Sequence, residues 1–580
     1  MAKTVLAIPV FLAIFASCSR NQTDSVAKLT QEFVYTTLSF SPVTATGVGL
    51  HEYENKKLDS LLDDLSPSAL DAQKKFYDKF QAQLKALDPS KLDAESKADL
   101  DILQDQTSLA LLELNEVQSP LHSPTLYVET LGNALFSPFV LEYAPLPARM
   151  QSIISRLEKV PVFLDQASTN LQSSPEIWTQ VAMDENQGNI DLVDKTLRAA
   201  VPENLRDSYA RAASPALDAM RKFQDYLKSN LMLRSRADWR LGKDRYVRKF
   251  RWTLDCGMDA DAALAAAESD LTAVRKRMYD MALARSGKPA AAPAGEAQQN
   301  QVIGEALAKI AENHSTPQSY MDDARKDLEE ARAFVQAKNL LTLPAHANLQ
   351  VIPTPEFMRG IYAVGGFNSA PALEPQLGAF YWVTPIPPSW PKERVESKLR
   401  EYNFYKLKLL TIHEAVPGHY VQMEFANNVQ PPTRRLLRSV FGNGPYIEGW
   451  AQYATESMLD EGFLDHSRDL ALTFAKEELR VLANLILDVR LQMLGMTDQE
   501  ALDLMMKQTF QEKEEAEAKL QRAKLSSAQL PMYYVGWRAW KKVREQYRQS
   551  KGDSFRLAAF HDAALKEGAV PLTVLGGLLK

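Results

Sequence analysis

The sequence predicts a mainly α-helical fold with a small β element. Three observations carry that expectation. Apolar residues recur at three- and four-residue spacing over Leu70–Leu87, Leu100–Leu114, Ile153–Leu171 and the long segment Glu477–Met496. Pro89, Pro161 and Pro202 punctuate these runs as helix breakers. Only two short stretches, Leu349–Ile352 and Ala379–Thr384, have strand composition, the second rich in aromatic and β-branched residues. A chain of 580 residues with 45% hydrophobic content can bury a large core. Its formal charge of -6 gives no case for a nucleic-acid partner.

Residues 1–17 read as an export signal. Lys3 supplies the positive start, and Val5 to Phe15 form an apolar run too short to span a bilayer as a mature helix. The run ends in Phe15-Ala16-Ser17-Cys18, small residues before a cysteine, as in bacterial lipoprotein signals. Lipidation of Cys18 would make the membrane a partner. Ser19 in the next position is similar to lipoproteins sent to the outer membrane. The expectation is an exported lipoprotein on the periplasmic side of the cell envelope, in the outer membrane. An ordinary cleaved signal with an incidental cysteine is the plainer alternative. Cys256 is the only other cysteine, so no internal disulfide is expected in the lipidated chain.

Residues 18–285 form a first helical half. Ser66-Pro67 has the chemistry of a helix cap and first position. Asp244 to Lys249 is a charged run suited to a solvated helix face. Residues 286–300 are low in complexity, predicting an exposed loop between this half and residues 301–580. Both halves are compatible with one domain. The strand around Tyr381 precedes the segment richest in chemistry. Tyr381 is a candidate substrate contact there, although its aromatic neighbours fit a core equally well.

That segment is Thr411 to Tyr420, which holds His413-Glu414 and, six residues after the first histidine, His419. Two neutral imidazoles beside a carboxylate are what a zinc hydrolase needs to hold its ion and move a proton. The spacing is longer than the familiar H-E-x-x-H. At about 100° per residue, six residues set His419 roughly 120° around a regular helix from His413. Pro417 removes a main-chain bond and Gly418 opens unusual backbone angles, so a break here can turn the imidazoles together. The plainer reading is a Pro-Gly turn with two unrelated histidines. Downstream, Glu448 lies in Tyr446-Ile447-Glu448-Gly449-Trp450-Ala451, among apolar groups where an unpaired carboxylate is costly. It is a candidate third ligand, with Glu456 as the fallback.

These residues resemble a known family. His413 to Gln422 and Glu448 to Ala454 look like the bacterial family DUF885, a domain of unknown function. Ser41 to Gly47, Val351 to Phe357, Gly378 to Trp382 and the closing Arg522, Gln529 and Tyr533-Tyr534-Val535-Gly536 are similar to its other motifs. The resemblance implies a helical zinc peptidase of the type that includes angiotensin-converting enzyme, oligopeptidases and the thermostable carboxypeptidases. It implies a deep cleft with the β element beside the metal helix. His413, His419 and Glu448 would hold Zn2+, with Glu414 the general base. Tyr533 would stabilise an oxyanion, and Arg522 and Gln529 would bind substrate, short or unfolded peptides. Tyr420, Gln492 and Ser527-Ala528 depart from the family's usual histidine, histidine and Pro-Gly. A zinc hydrolase of a non-peptide amide or ester, and a catalytically silent binding lipoprotein, are the competing readings.

Overall fold

The computed structural model describes residues 11–287, 295–345, 348–354, 359 and 364–579, with side chains from Thr23 onward. Residues 1–10 of the expected signal and the side chain of Cys18 lie outside the described residues. The fold is mainly α, as the periodicity predicts. Helices that bear on the site are numbered here in chain order.

The N-terminal helix α1 (Phe11–Phe40) packs against α2 (Ala94–Leu112) through Phe33, Val34, Leu38, Leu100 and Leu103. Between them in sequence lies the Pro67–Lys85 helix, which Ser66 caps by accepting from the Ala69 N–H at 3.2 Å. Glu52–Tyr53 (β1) and Lys56–Lys57 (β2) make a two-residue antiparallel ladder. Helices α3 (Lys243–Leu254) and α4 (Ala260–Arg285) follow. The expected loop over 286–300 needs correction. A helix, α5 (Glu296–Ile310), opens inside it, because Glu, Ala and Gln are good helix formers once Gly295 starts the turn. Residues 288–294 lie outside the described residues.

The two halves share core clusters. Leu264, Leu271 and Met278 of α4 share an apolar cluster with Leu479, Leu482 and Ile486, far along the chain. Leu436 and Leu437 sit in the cluster of the N-terminal helix. Buried Arg438 binds Asp99 at 2.8 Å and Glu95 at 2.7 Å, clasping the C-terminal half to α2.

After α6 (Tyr320–Lys338) comes a three-stranded sheet. Its strands are β3 (Leu349–Pro353), β4 (Gly365–Asn368) and β5 (Ala379–Val383), in the order β3-β5-β4. β5 is central, parallel to β3 and antiparallel to β4. Both its edges are therefore occupied, and it cannot take a substrate strand by edge pairing.

The site helices are α7 (Phe404–Glu414), α8 (His419–Ala426), α9 (Pro432–Val440) and α10 (Gly444–Asp460). They are followed by α11 (Arg468–Met493), α12 (Lys513–Leu525) and α13 (Met532–Lys551). Side-chain caps open α7 and α10. Asn403 accepts from the Tyr405 and Lys406 N–H groups, and Asn443 from that of Tyr446. α10 and α13 cross closely. A Cβ on Gly449 would strike the Gly536 backbone, and one on Gly536 would strike the Pro445 carbonyl. Around the crossing, Trp450 and Trp540 are fully buried with ring centroids 5.0 Å apart. At roughly 150–250 Å² per ring and about 25 cal/mol per Å², each contributes about 4–6 kcal/mol of burial.

Candidate metal centre

α7 stops at Glu414 because the chain behind it cannot continue the helix. Pro417 has no N–H to give, and the Val416–Pro417 peptide bond is cis. The Gly418 N–H turns back to the Ile412 carbonyl at 3.0 Å. Gly418 lies so close to this helix end that a Cβ would overlap the Ile412 and His413 carbonyl oxygens. A second helix, α8, then starts at His419 in a new direction. At the break the Pro417 carbonyl is satisfied from α10, where the Trp450 indole N–H donates to it at 2.9 Å. The Gly418 carbonyl accepts from the Gln422 N–H at 3.1 Å as α8 begins.

The break does what a regular helix cannot. The rings of His413 and His419 stand with centroids 4.7 Å apart at 84° to each other. Glu448, from the first turns of α10, completes the set. Its Oε2 lies 3.6 Å from His413 Nε2 and 3.5 Å from His419 Nε2. The three ligand atoms all lie within 4.8 Å of one another, and no other His, Cys, Asp or Glu group of this kind occurs among the described residues. Bonds of about 2.0–2.1 Å in a tetrahedral zinc site put ligand atoms about 3.3–3.4 Å apart. The two separations from Glu448 lie close to that value.

Glu448 Oε2, the atom that faces both imidazoles, is buried without a hydrogen-bond partner of normal geometry. Burial alone would raise the Glu448 carboxyl; hydrogen bonds from His413 and His419 outweigh it and hold the group far below the usual carboxylate range. Burial lowers His419, but Glu448 outweighs this and raises it, with Glu414 adding to the effect. A proton and a metal cation thus compete for the same atoms.

The motif Glu448-Gly449-Trp450 acquires a role at each position. Glu448 faces the histidines, Gly449 lets α13 approach, and Trp450 ties α10 to the break. On the other side of α7, Lys408 binds Asp327 at 2.6 Å and reaches Glu330, anchoring the metal helix on α6.

Glu414, next to His413, is half-buried, and its charge acts on His419, Tyr533 and Tyr381. Tyr533, on the first turn of α13, lies nearly parallel to the His413 ring with centroids 6.4 Å apart. Burial pushes its hydroxyl above the ordinary value; Glu448 adds to this, and Arg522 opposes it through a hydrogen bond and its charge. Tyr533 therefore remains a neutral donor beside the three candidate ligands, and Arg522 reaches it. Gln529 is exposed in the turn before α13, where its carbonyl accepts from the Met532 N–H at 3.1 Å.

Two sequence expectations change. Tyr381 is fully buried, with its hydroxyl 3.2 Å from Thr411 Oγ1. It packs the sheet against α7 and is no substrate contact, because an inward residue of a central strand is covered on its face by the helix. Glu456 is not a ligand. It accepts from the Trp537 indole at 2.7 Å and pairs with Lys541 at 2.7 Å, fastening α10 to α13.

Asp488 and Gln492 were not singled out as site residues by their chemistry, yet they shape the approach to Tyr533. Buried Asp488 accepts from the Tyr246 hydroxyl at 2.6 Å and the Ala528 N–H at 2.9 Å. Gln492, one turn on, donates to Ser526 O at 3.1 Å and accepts from the Leu241 N–H at 2.8 Å. Together they hold the turn that carries Gln529 and launches α13. An aspartate inside the apolar run Leu485 to Leu491 was the available signal.

Comparison with known proteins agrees with this architecture. The family model described as bacterial protein of unknown function (DUF885) matches residues 42–579. A solved structure of a candidate lipoprotein of unknown function from Shewanella oneidensis is similar at 28% identity and a TM-score of 0.78, covering 96% of this chain and 99% of that one. A second candidate lipoprotein, from Colwellia psychrerythraea, shares the fold at 16% identity and a TM-score of 0.77, covering 96% and 98%. No curated protein matches the sequence. With the family model spanning nearly the whole described chain around this His, His and Glu constellation, the chain belongs to the DUF885 family of bacterial proteins.

Proposed function

We propose that this chain is a zinc-dependent peptidase acting on short or unfolded peptides. The observation that supports it most is the convergence of His413, His419 and Glu448, with Glu414 and Tyr533 beside them. A scaffold has no use for that set, whereas hydrolysis uses each member. His413, His419 and Glu448 would hold a zinc ion, which would supply Lewis acidity and lower the pKa of a bound water to about 7. Glu414 takes the proton from the attacking water and passes it to the leaving amine. Tyr533, kept neutral, donates its hydroxyl proton in a hydrogen bond to the oxygen that gains charge.

Anchoring follows from Cys18 at the end of the apolar run, and the Shewanella protein's description as a candidate lipoprotein supports it. Export places the enzyme on the periplasmic side of the envelope, at the outer membrane.

The test is product analysis. The purified protein is stripped with a chelator, reloaded with zinc, and incubated with a peptide library read by mass spectrometry. Cleaved peptide bonds that vanish on stripping and return with zinc are the expected result. An intact library with a fully loaded protein would remove the peptidase reading.

A further inference from the structure

The segment after the short helix Pro42–Gly47 carries a histidine that the metal centre does not use. His51 has a carboxylate at each ring nitrogen. Its Nδ1 lies 2.9 Å from Asp59 Oδ1, and its Nε2 lies 3.2 Å from Glu374 Oε2, far along the chain. Nε2 and Glu374 Oε2 are both buried, and neither has a hydrogen-bond partner elsewhere among the described residues. Tyr143 covers the imidazole, its ring stacked with centroids 4.1 Å apart at 24°. Gly49 makes room for Glu374. It holds φ +85°, and a Cβ there would stand 2.9 Å from Glu374 Cγ.

Glu374 belongs to the loop between β4 and β5, residues 369–378. Beside it, the Leu373 N–H donates to Val48 O at 3.0 Å. The other side of the loop meets α8. Asn348 Nδ2 donates to Leu377 O at 3.0 Å, and Asn348 Oδ1 accepts from the Tyr420 hydroxyl at 2.9 Å. Asn427 Nδ2, at the end of α8, donates to Ala370 O at 3.2 Å. The loop is thus clamped between the N-terminal half and the helix that starts at His419.

One proton decides how well this clamp holds. A neutral imidazole has one N–H and one lone pair. It donates to Asp59 or to Glu374, and its lone pair then faces the other carboxylate. Only the imidazolium donates to both. Burial works against that charge, but hydrogen bonds and charges from Asp59 and Glu374 outweigh it and raise His51 above its ordinary value of 6.5. Burial, with Asp59 adding to it, pushes the Tyr143 hydroxyl far up, so it stays neutral. Arg156 stands behind Asp59. It donates to the Thr46 hydroxyl at 2.6 Å, which lies 2.8 Å from Asp59 Oδ1. Asp63, which acts on Arg156, is pushed up to about 6 by burial, below the range in which His51 loses its proton.

We propose that His51 is a pH-operated latch: as an imidazolium it fastens the β4–β5 loop to residues 48–59, and on losing its proton it lets the loop loosen. The sign follows from linkage. The latch is closed below pH 6.5 and opens as pH rises through the raised value of the folded protein. Opening is local, because the packing of Ala372 and Leu373 in the N-terminal cluster does not depend on the proton. The proposal stands on His51, Asp59 and Glu374 and is independent of the peptidase reading.

The test is hydrogen exchange read by mass spectrometry on the full chain, from about pH 6 to 9, corrected for the intrinsic pH dependence of exchange. Exchange at the His51 C2 position in the same samples gives its titration. Protection of residues 369–378 should fall by about threefold or more, with the midpoint of His51. The buried part of α13 around Trp540 should keep its protection. Glu374→Gln puts an amide opposite Nε2 that can donate to the neutral ring, so it should hold the loop protected over the whole range. His51→Gln cannot serve both carboxylates and should leave protection low and independent of pH. Wild-type protection that does not change with pH, or that falls with a midpoint other than that of His51, would overturn the latch. So would a fall that persists in both variants, or one shared equally by α13, which would mean that the whole fold loosens.

Discussion

At the scale of residues, binding and chemistry fall to different side chains. His413, His419 and Glu448 converge as candidate ligands, whereas Glu414 is held beside them and acts on His419 and Tyr533 through its charge. Glu414→Gln keeps the shape and loses the base. It should retain zinc near one ion per chain and lose turnover by roughly two or more orders of magnitude, the scale of a general base. Zinc content and turnover measured on one preparation check this. Full turnover would assign the proton to another group, and loss of zinc would make Glu414 a ligand. The grouping of His413, His419 and Glu448 was legible in the sequence because imidazole and carboxylate in one motif have few other uses. Tyr381 was not. Its strand has the same composition whether its residues pack a core or line a cleft, and only the burial of Tyr381 against Thr411 of α7 decided between them.

At the scale of elements, the site depends on a helix break and a helix crossing. The break was legible, since Pro417, Gly418 and a six-residue spacing cannot serve one ion from a regular helix. The crossing was not, because nothing in the sequence pairs Gly449 with Gly536. Gly418→Ala should destabilise the protein by about 1–3 kcal/mol, the usual cost of overpacking, and should weaken zinc binding by opening the angle between the imidazoles. Gly304→Ala should act in the opposite direction. Gly304 lies inside α5 with open space where a Cβ would stand. Alanine there should stabilise by up to about 1 kcal/mol through helix propensity. Thermal melts of the two variants with and without zinc check both signs. A neutral Gly418→Ala would mean that the break tolerates a side chain and is not set by this close approach.

At the scale of the whole molecule, the two expected halves are one packed body, joined by α4 against α11 and by Arg438 against Asp99. The sequence suggested a divide at 286–300 because low complexity resembles a linker, but composition does not tell which helices share a core. No helix among the described residues is long and apolar enough to cross a membrane, so attachment in this account rests on Cys18. Cys18→Ser should move the protein from the membrane fraction to the soluble fraction. Unchanged fractionation, with no lipid on the N-terminal peptide, would contradict the anchor.

The central claim is that this fold gathers His413, His419 and Glu448 around a zinc ion. Zinc-edge X-ray absorption on the purified protein, with metal content measured on the same sample, tests it most directly. The account predicts about one zinc per chain, two imidazole nitrogens and one or two carboxylate or water oxygens at about 2.0–2.2 Å, and no sulfur. It also predicts loss of one imidazole from that shell, or of the metal itself, in His419→Ala. A zinc content near zero after loading, a sulfur shell, or a spectrum unchanged by His419→Ala would contradict it.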